Sequence, residues 1–239
     1  MKTKHFLLIT LLLLFNKTIF AAETEIRIPL AFTAHFELYK NGLHVADTKY
    51  QLSKKDNNFL FRSVTKLTGL LSLFSDDKIT EESTFEVSDK KFNLIKYQFI
   101  QSGGTQLTIN STVDVKKKNI STVINNDNPH ISKFTQQPWD KLSVLLALMT
   151  SVKDQKETIS FKVLDKSEIK NYDFTYAGTK EIELEEDEWK QTVLWARQGD
   201  TKKTIFFLDP NAYYIPIKIE QFKNNKLTAT LLLSELTWN

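Results

Sequence analysis

The chain has 239 residues, 41% of them hydrophobic, with 32 basic side chains against 29 acidic ones and no cysteine. Without cysteine there is neither a disulfide framework nor a thiolate metal site, so stability has to come from burial. The formal charge of +3 is too small to mark a nucleic-acid surface and vanishes once the N-terminal segment is discounted.

That segment, MKTKHFLLITLLLLFNKTIFAAETE, joins a basic start at Lys2 and Lys4 to an apolar run from Phe6 to Phe15 and small residues at Ala21 and Ala22. This is the layout of a cleaved secretory signal. The run is shorter than the ~20 residues a spanning helix needs. Residues 1–21 are therefore expected to leave, taking Lys2, Lys4 and Lys17 and no acid, so that residues 22–239 form a formally neutral single β-rich domain. The mature protein is expected to be soluble in the periplasm of a Gram-negative bacterium, with no transmembrane span.

From Leu30 onward, apolar and polar residues alternate, the mark of half-buried antiparallel strands. Leu30, Phe32, Ala34, Phe36 and Leu38 share one face, and Asn41-Gly42 then predicts a tight hairpin. In Thr65–Asp77, Leu67, Leu70, Leu71 and Phe74 fit either a helical turn or a bulged apolar strand. Strands are predicted over Asn93–Ile100, from about Thr105 to Val115, and over Ile120–Ile124, with the Lys116–Lys118 run read as solvated turn residues. Beyond Val152, seven more follow, among them Tyr172–Ala177, the acidic stretch from Lys180, Trp189–Arg197, Thr204–Leu208 and Tyr213–Phe222. Pro216 lacks a backbone donor, which places the last of these at an edge or a bulge. The fold class is mainly β: a strongly curved antiparallel sheet or barrel of about a dozen strands, with one short apolar helix packed against it.

The helix is predicted over Lys141–Thr150, within QQPWDKLSVLLALMTSV, with Asp140 capping its first turn and Trp139 packing back on it. It is apolar almost all round and therefore buried. Its length of ~15 Å falls well short of the ~30 Å of a bilayer core. It is either a plug in the concavity of the sheet or a lid over a cavity.

Signatures of chemistry are sparse. His35, His44 and His130 accompany no nucleophile elbow, although His35 and His44 could approach across the first hairpin. No metal-ligand spacing occurs, and the acids of Lys180–Gln191 alternate with Ile182 and Leu184 as the wet face of a strand. No catalytic residue, metal or cofactor is assigned. Aromatic residues make up 12% of the chain, with 17 phenylalanines. Most belong to a core. Some could line an apolar cavity: Trp139, Tyr213 and Tyr214, with the helix residues Leu142, Leu146 and Met149, are the candidate ligand-binding set.

An early NGL hairpin at Asn41–Leu43, then TGLLSLFSDDKITEESTFEV, WDKLSVLLALM, YDFTYAGTKEIEL and FLDPNAYYIPIKIEQFKNNKLTATLLLSEL together resemble the bacterial exported-protein family catalogued as domain of unknown function 3108. The resemblance runs over nearly all of the mature chain, most clearly from Trp139 to Leu236, and implies an exported β-rich domain with no assigned activity. The leading expectation is non-enzymatic binding of an apolar or amphipathic ligand, a lipid or acyl chain. The alternative is a cell-envelope module that pairs a partner protein through an exposed strand edge such as Tyr213–Phe222. A glycan-active hydrolase, which needs two carboxylates facing one cleft, stands third.

Overall fold

A computed structural model describes residues 28–239, apart from 74, 90, 153–156 and 186–187. Residues 1–21, the expected signal segment, lie outside the described residues. The described residues open with eight strands, interrupted after the third by one 3-10 turn: β1 (Phe32–Lys40), β2 (Leu43–Lys55), β3 (Asn58–Leu67), β4 (Lys78–Ser88), β5 (Lys91–Ser102), β6 (Leu107–Asp114), β7 (Asn119–Ile124) and β8 (His130–Lys133). A two-residue strand β9 (Trp139–Asp140) and the helix α1 (Val144–Ser151) follow. Six more strands complete the fold: β10 (Thr158–Asp165), β11 (Glu168–Glu185), β12 (Glu188–Gln198), β13 (Lys202–Asp209), β14 (Ile215–Lys223) and β15 (Lys226–Trp238).

All fifteen belong to one sheet, in the order β8-β7-β6-β5-β4-β3-β2-β1-β15-β14-β13-β12-β11-β10-β9. Each half is a meander, and the halves join where β1 pairs antiparallel with β15. The expected dozen strands thus become fifteen: the short pieces β8 and β9 carry too little alternation to announce themselves, and β3 and β4 are not among the strands predicted above. Conversely, Tyr172–Ala177 and the acidic stretch after it are one strand, β11, kept continuous through a bulge between Tyr176 and Gly178. Gly178 has a φ of 102° there, which its missing Cβ permits. The Asn41-Gly42 turn is as expected, with both residues at positive φ, 51° and 78°, matching the twist of a two-residue hairpin.

The sheet curls like a barrel but does not close with a ladder. Its edges are β8, hydrogen-bonded only to β7, and β9, which pairs in parallel with β10. Side chains span this seam: Ser132 Oγ donates to the carbonyl of Ser167, Gln137 Nε2 donates to the Leu94 carbonyl at 2.8 Å, and Trp139 stacks on Phe92 with ring centroids 3.8 Å apart. Tyr213–Phe222 is not an edge, which corrects that expectation: β14 is hydrogen-bonded to β13 on one side and β15 on the other. Pro216 is accommodated opposite a register shift at Phe207/Leu208, and pairing with β15 starts only at Lys218.

The core lies inside the curl. Phe32, Ala34 and Phe36 of β1, Leu52, Phe61, Phe85 and Leu94 face inward, and α1 plugs the space between them and β10–β14. Leu146, Ala147 and Leu148 are fully buried. The helix starts at Val144 rather than Lys141, and Ser143 is its N-cap residue but makes no side-chain cap bond. Asp140 holds the turn before the helix instead, since its Oδ1 accepts from the backbone N–H groups of Leu142 and Ser143 at 2.8 and 2.9 Å. The open choice over Thr65–Asp77 resolves into a short 3-10 helix, Gly69–Leu73, after β3. Among the described residues no helix is long and apolar enough to cross a membrane.

Candidate functional site

Strand parity places polar groups on the inward face of an otherwise apolar interior. Along β4, Phe85 is fully buried, so Ser83 and Glu81, two and four residues earlier, point the same way. Ser83 Oγ donates to Asp140 Oδ2 at 2.5 Å, and Ser143 Oγ donates to the same oxygen at 2.8 Å. Asp140 is completely buried, and burial pushes its carboxyl upward against the pull of these donors. Glu81 Oε2 accepts from the hydroxyl of Tyr97 at 2.8 Å, and burial pushes the Glu81 carboxyl up as well. Desolvation, reinforced by Glu81, raises Tyr50 to about 12, while Tyr97 rises for the same two reasons.

Two cavities flank α1. The first, about 230 Å³, lies by its N-terminal end between β2, β4 and β11–β15. Leu142, Leu145 and Leu148 form its helix wall, Phe174, Phe206 and Ile219 the sheet wall, and Glu81, Lys141, Tyr172 and Arg197 supply its polar groups. Arg197 sits over the ring of Tyr172, its guanidinium carbon 3.5 Å from the ring centroid. The second cavity, about 540 Å³, sits by the C-terminal end of α1 and is lined by Ile28, Pro29, Met149, Thr150, Pro210, Asn211, Tyr213 and Tyr214. Between the two, Leu145 and Met149 pack against Phe32, Phe36, Tyr50, Phe61 and Ile215 with no room for water.

The turn that carries the tyrosines is bent sharply. Tyr213 and Tyr214 both have positive φ, 52° and 56°, a conformation that is rare for bulky residues. Asp209, itself buried, holds the turn: its carbonyl accepts from Ala212 N and Tyr214 N, and its Oδ1 accepts from Asn211 N at 2.8 Å. Tyr213 is half exposed and packs edge-on against Trp238, with ring centroids 5.1 Å apart.

Of the six candidate residues, Met149, Tyr213 and Tyr214 meet in the larger cavity, and Leu142 lines the smaller one. Trp139 lies in the seam between Phe92 and Phe161, and Leu146 in the packed core; neither lines either of these two cavities. Glu81, Tyr172 and Arg197 were not among the candidates. Parity would have found them: Val193, Trp195 and Arg197 share one strand face, and Arg197 is one of only three arginines in the chain. His35 and His44 are not brought together, because the ladder sets His35 opposite Lys49 and His44 opposite Tyr39, and His44 Nε2 meets Asp47 Oδ1 at 2.7 Å. Among the described residues no three His, Asp or Glu side chains gather in a way that could hold a metal ion. Among the described residues only one carboxyl, Glu81, lines the smaller cavity, and none lines the larger.

An open barrel plugged by one helix defines the class as a β-barrel-like fold. The crystal structure of a β-barrel-like protein of domain of unknown function DUF1849 from Brucella abortus superposes with a TM-score of 0.55 over 88% of this chain and 98% of that one, at 9% identity. At that identity the likeness concerns the fold alone. The family described as "Protein of unknown function (DUF3108)" matches residues 32–231, and the chain belongs to it. Comparison with curated proteins finds no match.

Proposed function

We propose that the mature chain is an exported periplasmic protein that binds an apolar or amphipathic small molecule, a lipid or acyl chain, alongside α1 without transforming it. The observation that carries this reading is the unequal burial of the helix. Every residue from Val144 to Thr150 is buried except Leu145, and Leu142, Leu145 and Met149 form the side on which both cavities open.

The larger cavity falls within the ~300–1,000 Å³ of ordinary small-molecule sites. Leu145 and Met149 belong to the packing that separates it from the smaller one, and Met149 is an unbranched, adaptable residue that can move aside. Two neighbouring tyrosines at positive φ cost about 1–3 kcal/mol each, a strain that persists where a site needs the side chains in place. The leader pattern of residues 1–21 supports export. The short edges β8 and β9, four and two residues long, favour this reading over pairing with a partner strand.

Protein purified from the periplasmic fraction should carry extractable lipid visible by mass spectrometry, and should bind phenylnaphthylamine with a rise in fluorescence. Leu145→Trp, which adds an indole where the helix meets the free space, should weaken probe binding at least tenfold while retaining the native circular dichroism. A protein that carries no lipid and leaves the probe dark would refute the proposal.

A further inference from the structure

Arg197 is partly buried on the inward face of β12, and among the described residues it has no carboxylate partner. Asp165, which is bonded to the same Tyr172, is engaged elsewhere. Asp165 Oδ2 accepts from the hydroxyl of Tyr172 at 3.1 Å, and its carboxylate is flanked by Lys141 and Lys170, each at 3.8 Å. A guanidinium stacked on an aromatic ring keeps its N–H fork in the plane of the stack, free to take a carboxylate in two-point fashion. Lys141, 46% exposed, stands at the rim of the same cavity as a second cation. The one acid that lines it among the described residues, Glu81, turns an oxygen to Tyr97, and its burial favours the neutral form, which lessens repulsion of an incoming anion.

The remaining wall is apolar: Leu145, Leu148, Phe174, Phe206, Ile219 and Leu231. We infer that the smaller cavity takes an amphipathic monocarboxylate, its head on Arg197 and Lys141 and its apolar chain lying along α1 at Leu145. The inference rests on reading the space alongside α1 as a binding site and adds the chemistry of the head group. At about 230 Å³ the space exceeds the ~150 Å³ of a cavity known to admit benzene, which suits a chain on the order of six carbons.

Hexanoate and hexanol, titrated separately into isotopically labelled mature protein and followed by amide chemical shifts, test this directly. Hexanoate should bind at least tenfold tighter than hexanol. Arg197→Gln should abolish that preference while leaving hexanol affinity unchanged, and Arg197→Lys, which keeps the charge but not the fork, should retain part of it. Equal binding of the two compounds to the unmodified protein overturns the head-group assignment and leaves the apolar-ligand reading standing. Binding of neither overturns the site itself, and phenylnaphthylamine then decides the broader reading independently.

Discussion

Glu81 and Asp140 are carboxyls placed where a β-barrel interior ordinarily holds apolar side chains, and each is tolerated for a different reason. Asp140 is surrounded by donors: two hydroxyls and two backbone N–H groups converge on its oxygens, so removing the carboxyl would leave several buried groups without partners. Glu81 has one side-chain donor, Tyr97, and its carboxyl titrates above the ordinary range because burial disfavours the charge. Between the unfolded value near pH 4 and that raised folded value, the unfolded chain has lost the proton while the folded protein still holds it. Stability from this group is therefore fully present at low pH and is lost as pH rises through the folded value. Glu81→Gln keeps an acceptor for the Tyr97 hydroxyl and removes the titration. Its melting midpoint should exceed that of the unmodified protein at pH 8, with the gap closing toward pH 4; a gap independent of pH would sink this account. The identity of these residues was open to reading, since Glu81, Ser83 and Phe85 share a strand face. What parity cannot supply is their partner: Asp140 lies 57 residues from Ser83 in the chain, and only the fold brings it there.

Element by element, β3 and β4, ten and eleven residues long, are absent from the predicted strands, whereas cleaner alternation was legible, as in β1, where inward Phe32, Ala34 and Phe36 interleave with outward Thr33 and His35. Short elements were not. β9 has two residues and exists because Trp139 and Asp140 pair with Val163 and Leu164 of β10, a contact that nothing local encodes. The same pairing explains why α1 starts later than its apolar pattern suggests, because Asp140 is held in the sheet and the next turn is spent leaving it. The helix remains legible as a plug from its composition. Leu146→Asp would set a carboxylate with no donors at its fully buried midpoint, and should cost more than about 4 kcal/mol or prevent folding altogether. Lys117→Ala lies in the exposed turn after β6, where the lysine meets only Asp114 at 3.6 Å, and should leave the denaturant midpoint unmoved. Equal midpoints for the two variants would mean that α1 does not organise the core.

At the scale of the whole molecule, the sheet is held at two unlike places. One is the ladder between β1 and β15, the first and last strands, where even Ser234 Oγ reaches the carbonyl of His35 across 199 positions of sequence. The other is the seam at β8 and β9, where side-chain contacts to backbone carbonyls and between rings stand in place of a ladder. Circular permutation exchanges these two roles. Asn239 already donates its backbone N–H to the carbonyl of Ala31 at 2.8 Å, so a short linker from Asn239 to Ile28, with new ends at Gln136, would leave the ladder intact. In the permuted chain every antiparallel ladder joins strands consecutive in sequence, and the single long-range pairing becomes an ordinary hairpin. Folding rates of small proteins rise as contacts become more local. The permuted protein should refold measurably faster than the natural order in stopped-flow fluorescence while keeping its circular dichroism. An unchanged or slower rate would show that meeting of the chain's two ends is not what limits folding. In the natural order that meeting cannot begin until the last strand has been made, which leaves the first half a long unpaired edge for as long as the chain is still being synthesised.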